Sequence, residues 1–568
     1  MKRLWQYIRP HRWAIAVGLL IKLAASVAEL FLPSILAKIV DEAKGWQDVA
    51  LWGGLMVGCS VLALVGNIVA NRYSAVTAGK ITRRLRHDLF SRILALSAKQ
   101  VDKFTVSSLI SRLTSDTYQV NNFIMRIQRI GVRAPILLLG GIGITMVLNW
   151  RMTLVLVALL PFIGLFTYLI TRRGVPLYRR QQERLDDVVR IVQENAAGVR
   201  VVKALSRTEY ERARFRAGSE TLSKTEQKAS VVMGLSGPLN SLILNLGLCA
   251  VLVVGGILLD RGGASAGTIL AFLNYFTMIL MAMTAITRIF VLTSRGVASA
   301  DRVAEVLDEV EDMPLIETEK KETPYHISFE NVTFSYNKNV PNISNLSFDL
   351  MKGETLGIIG ATGAGKSTLV SLLMRFYDVD EGYIRIGGED VRSIPKERLH
   401  SLFGVALQND FLRMGTIEEN IDFDRGLAEE EVHTAAVTAC AEEFIREKEG
   451  GMEHLLTLRG TNLSGGQKQR ILLARAVAGT PEILILDDSS SALDYKTDSR
   501  LRKNLAERLA GVTTVIVAQR VSSILHADKI LVLDGGEVIG RGTHEELMAT
   551  CEVYREIAET QMGGDFDA

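Results

Sequence analysis

The run Gly360-Ala-Thr362-Gly363-Ala364-Gly365-Lys366-Ser367 has residue types and spacing suited to phosphate chemistry. It reads GxxxxGK[ST], in which glycines let the backbone curl until successive N–H groups point at β- and γ-phosphates. Lys366 supplies a point charge and the Ser367 hydroxyl is a ligand type for Mg²⁺. The apolar run 356–359 before the loop predicts a strand. Thr368 opens a stretch to residue 376 that predicts a helix, whose positive end would face the phosphates. A Gly-rich turn can match by chance, but strand, loop and helix in this order are the setting that a nucleoside triphosphate with Mg²⁺ requires. A second signal is Ile483-Leu-Ile-Leu-Asp487, four apolar residues that predict a buried strand delivering a carboxylate at its end.

These residues need a scaffold, and the chain offers two kinds. At 568 residues it exceeds one domain; 48% of residues are hydrophobic and 23% charged, which suits a protein partly in a membrane. The net charge of +2 is uninformative about nucleic acid, and Cys59, Cys249, Cys440 and Cys551 show neither CxxC pairing nor metal-ligand spacing. Six apolar stretches are long enough to span a bilayer core of ~30 Å, near residues 14–37, 50–70, 130–148, 152–171, 235–259 and 268–292. The first exceeds the apolar core of a signal peptide and has no small-residue cleavage site after it, so it reads as a retained anchor. Residues 72–133 carry 12 Lys/Arg and residues 172–228 carry 14, against Lys38, Lys44, Arg151 and Arg261 on the other side. Basic loops stay in the cytoplasm, which places both termini there; the expected localisation is a plasma (inner) membrane, as a multi-pass protein.

The basic loops keep helical apolar spacing, with Leu185, Val188, Val189 and Val192 on one side of 181–215 and a similar pattern in 81–117. The spans are expected to continue beyond the membrane as amphipathic helices; helices lying on lipid headgroups are the alternative. Pro135 and Pro161 fall inside spans. Residues 312–324 read as a linker, and from 325 short β-branched strands alternate with helices, an α/β pattern. The expected organisation is a helical membrane domain at 1–311, the linker, and a P-loop α/β nucleotide-binding domain at 325–568.

Between the two phosphate signals lies Leu463-Ser464-Gly465-Gly466-Gln467, followed by Lys468-Gln-Arg. Together these motifs resemble the ATP-binding cassette (ABC) transporters, and the six preceding spans look like the exporter type, a multidrug-resistance-like half transporter. The resemblance covers nearly the whole chain. It implies ATP and Mg²⁺ as cofactors, with Gln408 as a further Mg²⁺ contact beside Ser367 and Asp487. It implies that Tyr336 stacks on adenine; a core strand tyrosine is the alternative reading of the residue alone. Ser464, Gly465, Gly466 and Gln467 match the signature that closes on the γ-phosphate of the opposite subunit, and Ser491-Ala-Leu-Asp494 matches the loop that crosses the dimer interface. Phe104, Leu109-Ile-Ser-Arg112 and Asp116 resemble the first cytoplasmic coupling loop, and residues 198–211 the second.

Three departures from the family pattern bear on mechanism. The family places Glu after the strand-end aspartate to polarise the attacking water; here stands Asp488. The family expects His where this chain has Gln519, and an acidic Gly-Glu pair where it has Thr457-Leu458-Arg459-Gly460. Asp is one methylene shorter than Glu, and a misplacement near ~1 Å costs on the order of 10²-fold. Gln donates a hydrogen bond but carries no positive charge and shuttles no proton. Nucleotide binding is expected to survive and hydrolysis at this chain's own site to be crippled, unless Asp488 suffices for slow turnover. Because such sites are shared, a second half transporter would then supply the competent site in a heterodimer.

In the first span Lys22, Ser26 and Glu29 lie on one helical face, as do Asn274, Met278, Met281 and Arg288 in the sixth. Such a wall suits amphipathic cargo such as drugs, lipids or peptides, while the same groups could instead be interhelical glue. A nucleotide-gated channel and an importer of, for example, a metal chelate are the rival readings on this scaffold; six spans exclude a soluble nucleic-acid-binding ATPase.

Overall fold

The computed structural model describes residues 2–408 and 411–562. Internal contacts divide the chain into two compact units, Met1–Leu94 with Val106–Glu309, and Ala95–Thr105 with Val310–Ala568. Residues 312–324 belong to the second unit, where Ile316 N donates to Arg392 O (3.0 Å) and Lys321 N to Gly388 O (3.0 Å). A piece of the first basic loop belongs to it too.

The first unit is helical. Its helices are Lys2–Ile8 (α1), Arg12–Glu42 (α2) and Trp46–Leu94 (α3). After Ala98–Phe104 (α4), which lies in the second unit, come Val106–Ser111 (α5), a π-helical turn at Arg112–Asp116 and Thr117–Leu148 (α6). Trp150–Ala204 (α7), Thr208–Gly234 (α8), Ser236–Asp260 (α9) and Ala266–Leu307 (α10) complete it. Among the described residues six helical stretches are long and apolar enough to cross a membrane, one for each span expected from the sequence.

Helix α3 has 49 residues and α7 has 55. At ~1.5 Å per residue each is more than twice the ~30 Å of a hydrocarbon core. The extension of α3 is held by Ile81, Leu85 and Leu89, four residues apart and fully buried. The apolar stripe of α7 behaves differently: Leu185, Val189 and Val192 remain 39–49% exposed. Helices α2, α3, α6 and α10 pack on one another. At Gly66 a Cβ would come within 2.8 Å of the Ala25 Cβ, so the missing side chain lets α3 approach α2 closely.

Polar ties fix this bundle. The buried Tyr275 hydroxyl of α10 donates to Leu30 O of α2 (2.6 Å) and shares a hydrogen bond with Ser34 Oγ (2.6 Å). At the π-helical turn, Arg112 Nη1 donates to Arg302 O (2.6 Å) and Glu305 Oε2 (2.8 Å). Arg302 Nε donates to Asp116 Oδ2 (2.9 Å), and Asp116 itself is buried.

The second unit has twelve strands among the described residues: Ile327–Phe334 (β1), Ile343–Leu350 (β2), Thr355–Gly360 (β3), Glu381–Ile386 (β4), Glu389–Asp390 (β5), Phe403–Ala406 (β6), Gly415–Thr416 (β7), Leu455–Leu456 (β8), Ile483–Asp487 (β9), Thr513–Val517 (β10), Lys529–Asp534 (β11) and Glu537–Gly542 (β12). One antiparallel sheet runs β2-β1-β4-β5; a six-stranded sheet runs β12-β11-β3-β10-β9-β6, parallel except for β12. All five residues of β9 are buried, as expected for a strand covered on both faces. Val517 of β10 pairs with Asp487 of β9 and with Ile358 of β3, so three neighbouring strands end side by side. Those ends position the candidate phosphate-binding residues.

The Asp116 tie yields a stability test. Asp116→Ala removes the carboxylate that Arg302 donates to and leaves it the Ser299 hydroxyl, and since Arg302 is half exposed the expected cost is about 1–3 kcal/mol. Thermal unfolding in detergent should show a clear fall in Tm; an unchanged Tm would mean that the pair is not structural.

Candidate functional site

The phosphate loop begins where β3 ends. Gly365 sits at the helix N-cap with φ +99°, a left-handed conformation, and a Cβ there would come within 2.8 Å of Asn342 O. Only glycine fits both conditions. The helix Lys366–Leu373 follows at once, two residues earlier than its sequence-predicted start, and its free N–H groups give an anion-binding end. Thr362 and Gly363 are exposed, Ala364 and Thr368 buried, so the loop is anchored from below and open above. Lys366 Nζ donates to Gly360 O (2.9 Å) and Ala361 O (2.8 Å). Burial pushes the Lys366 ammonium down, and Asp487 and Asp488 oppose this.

Asp487, at the end of β9, is 5% exposed and hydrogen-bonded to the Ser367 hydroxyl. Burial raises its carboxyl above the usual range; Ser367 and Lys366 pull it back, while Asp488 pushes it further. Asp488 turns away from the strand with φ +51° while its N–H still donates to Val517 O (2.9 Å). Its carboxyl is also raised by burial, against Lys366 and Arg520. Gln519, just past β10, donates from Nε2 to Asp488 Oδ2 at 2.9 Å. The two residues that depart from the family pattern are therefore bonded to each other. Gln561, on the last helix, donates to Gln519 O (2.8 Å) and accepts from Val521 N (2.8 Å), pinning this segment. Gln408 lies two residues past β6, exposed, in the turn that follows the strand next to β9.

Tyr336 is 43% exposed, and its ring meets Phe334 (4.9 Å) and Tyr377 (5.0 Å) edge to face. Its hydroxyl reaches Thr368 Oγ1 at 3.4 Å, so the ring stands beside the phosphate-loop helix. Tyr377 in turn donates to Asp102 Oδ2 of α4 (2.7 Å), which ties the first-loop helix to the aromatic cluster. Phe104 of α4 is buried in the same unit; Leu109, Arg112 and Asp116 are buried in the other.

Ser464 caps the helix Gly465–Val477: its Oγ accepts from Gln467 N (3.3 Å) and Gln467 Oε1 accepts from Ser464 N (3.0 Å). Gly465 and Gly466 form the first turn, another N-terminal end able to receive an anion. Gln469 ties this helix to the following loop, accepting from Ala492 N (2.9 Å) and donating to Ser491 Oγ (3.1 Å). Asp494 caps the helix Tyr495–Arg508 by accepting from Thr497 N (3.0 Å). The segment at 457–460 puts Arg459, exposed, at φ +61°.

In the membrane unit Lys22 is 5% exposed and donates to Asn67 Oδ1 (2.6 Å) and Asn71 Oδ1 (3.4 Å) of α3. Ser26 is fully buried, and Glu29 accepts from both Arg133 Nη2 (2.6 Å) and Arg133 Nε (3.2 Å) of α6. Asn274 and Met281 are exposed on α10 and Met278 is partly buried; the side chain of Arg288 lies outside the described residues. Arg129 falls just outside the span expected at 130–148 and Arg133 near its start, because apolar runs, not helix ends, set those limits. Gln561 carries no signal of type or spacing, and Gln469, within the Lys468-Gln-Arg run, gives no sign of its bonds to Ser491 and Ala492.

The aromatic cluster supplies a test. If Tyr336 stacks on a base, Tyr336→Ala should weaken ATP binding about tenfold and Tyr336→Phe by less than about twofold. Titration with a fluorescent ATP analogue checks this; equal losses in the two variants would assign the residue to the Thr368 hydrogen bond instead.

Residues 15–283 match the ABC transporter transmembrane region and residues 343–491 the ABC transporter family. The chain is 35% identical over 568 residues to an uncharacterized ABC transporter ATP-binding protein of Bacillus subtilis, YfiB, covering 99% of each. It is 33% identical over 569 residues to another, Rv1273c of Mycobacterium tuberculosis, covering 98% of this chain and 97% of that one. Among solved structures, a bacterial Atm1-family ABC exporter with ATP bound is similar with a TM-score of 0.81, over 96% of this chain and 98% of that one, at 24% identity. A membrane domain of exporter-type fold followed by an ATP-binding domain, matched end to end by these relatives, makes the chain a member of the ABC transporter family.

Proposed function

We propose that this chain is one half of a heterodimeric, ATP-driven exporter of amphipathic cargo in the plasma membrane, with both termini in the cytoplasm. It binds MgATP at its own poorly hydrolysing site and lends its signature to the competent site of a second half transporter. The observation that carries the reading is the 2.9 Å hydrogen bond between Gln519 and Asp488. A general base must reach the attacking water, and here the carboxylate is one methylene short and shared with an amide. The amide partner cannot hold a phosphate by charge as a protonated His would.

Binding is a separate matter. The Ser367 hydroxyl, Asp487 carboxylate and Gln408 amide offer oxygen donors, the class that Mg²⁺ takes, and Ser367 and Asp487 already touch. When bound, Mg²⁺ neutralises charge on the β- and γ-phosphates. Lys366 and the N–H groups of the loop and helix orient the phosphates. In the same reading the helix beginning at Gly465 presents its positive end to the partner's nucleotide, with Asp494 at the crossing loop. Cavity roles for Lys22, Ser26, Glu29, Asn274, Met278, Met281 and Arg288 belong to this proposal.

Steady-state ATPase tests it. The chain purified alone should bind ATP yet turn over about 10²–10⁴-fold below a competent site. In the assembled complex Asp488→Asn should leave turnover within about twofold, while Ser464→Arg, which puts bulk and charge at the closing face, should cut it at least about 100-fold. Robust turnover by the isolated chain, or silencing by Asp488→Asn, would contradict the reading.

A further inference from the structure

The membrane bundle carries an unbalanced charge. Within residues 12–40, 49–87, 117–148 and 266–300, the apolar parts of the four packed helices and their flanks, Glu29 is the only acidic residue. It is already engaged by Arg133 through two hydrogen bonds. Lys22, on the same face about two turns earlier, has amide oxygens of Asn67 and Asn71 as its acceptors rather than a carboxylate. Arg129 Nη2 donates to the backbone oxygen of Asn71 (2.9 Å), while its Nε is buried with no hydrogen-bond partner. The fully buried Ser26 hydroxyl, between Lys22 and Glu29 in sequence, also has none. The charged groups within electrostatic reach of Lys22 are Arg133, Glu29 and Arg129. Three cations therefore share one carboxylate.

Depth sharpens the point. A span of ~30 Å needs about 20 residues, and counting back from Leu148, the end of α6, reaches Arg129. The cluster therefore lies within the span, at the end facing the basic extensions. Long basic side chains at a span's end ordinarily reach water, but Lys22 and the Arg129 Nε are buried here, and a negative group from outside the chain would relieve them. Helix glue alone does not need a second and third cation.

We propose that Lys22, Ser26, Arg129 and Arg133 form a headgroup subsite for an anionic amphiphile, a phosphate- or carboxylate-bearing molecule with an apolar tail, carried as cargo. Guanidinium donors match oxyanion geometry, and the apolar walls of α2, α6 and α10 take the tail. Glu29 acts as a competing internal anion: it holds Arg133 when no cargo does. The proposal rests on the transport reading above and names its substrate class.

The test uses the assembled transporter in phosphatidylcholine nanodiscs, titrated without nucleotide with pyrene-labelled phosphatidic acid. The same tail on diacylglycerol and on a trimethylammonium head, and inorganic phosphate as competitor, complete the set. Saturable binding of phosphatidic acid, at least about tenfold tighter than either other probe, is expected. Arg129→Gln and Lys22→Met should each weaken it about tenfold, whereas Glu29→Gln, which releases Arg133, should tighten it. Complex size and ATP affinity, measured on each variant, show whether it has folded; should one variant fail there, the other two carry the comparison. Non-saturable partitioning, equal affinity for the three heads, or weakening by Glu29→Gln in an intact complex would overturn the proposal. Displacement of the lipid by equimolar inorganic phosphate would overturn the amphiphile class. If binding follows the expected order but ATP drives no movement of the probe in sealed vesicles, the subsite stands and the exporter reading fails.

Discussion

Register between three parallel strands is the constraint on which the rest depends. Because β3, β9 and β10 pair so that Ile358, Val517 and Asp487 lie at one level, the phosphate loop, Asp487-Asp488 and Gln519 emerge at a single edge. A shift of one residue would turn every side chain to the opposite face and scatter the site. The fully buried β9 and the packing of β3 leave little freedom for that shift. Asp488 is aimed by its left-handed backbone and by the 2.9 Å bond from Gln519, a bond possible only because β9 and β10 are neighbours.

The same edge accounts for the separation of binding from hydrolysis that we propose. Groups that hold phosphate come from the loop and helix after β3, where all the needed residue types are present. In the proposed reading, groups that would drive the attack come from the residues just after β9 and β10, where Asp488 and Gln519 stand. Gln561 fixes Gln519 from the last helix, so the altered pair is built into the domain and not left loose. An amide bonded to a short carboxylate is a stable arrangement with no titrating base beyond Asp488 itself.

Much of this was legible in the sequence, and the exceptions have physical causes. The phosphate loop, the strand ending in Asp487 and the six spans follow from glycine spacing and apolar run length, which report local geometry directly. The extension of α3 was readable from Ile81, Leu85 and Leu89, which are buried as a helical stripe should be. The stripe on α7 has the same pattern, yet Leu185, Val189 and Val192 are exposed in this chain, because periodicity reports a face and not what covers it. The bond between Gln519 and Asp488 joins residues 31 apart, so strand order decides it and sequence spacing does not. The expected span at 130–148 leaves Arg129 in the loop, whereas α6 begins at Thr117 and carries Arg129 against Asn71 of α3 and Arg133 against Glu29 of α2.

The central claim is that this chain holds ATP without consuming it while the complex runs. Its most direct test is the identity of the nucleotide left on this chain's phosphate loop after many turnovers of the assembled transporter. Photo-crosslinking with radiolabelled azido-ATP, separation of the two subunits and chromatography of the released label would read it. Intact triphosphate on this chain, with diphosphate accumulating on the partner, is the expected result. Diphosphate as the main species on this chain would contradict the account.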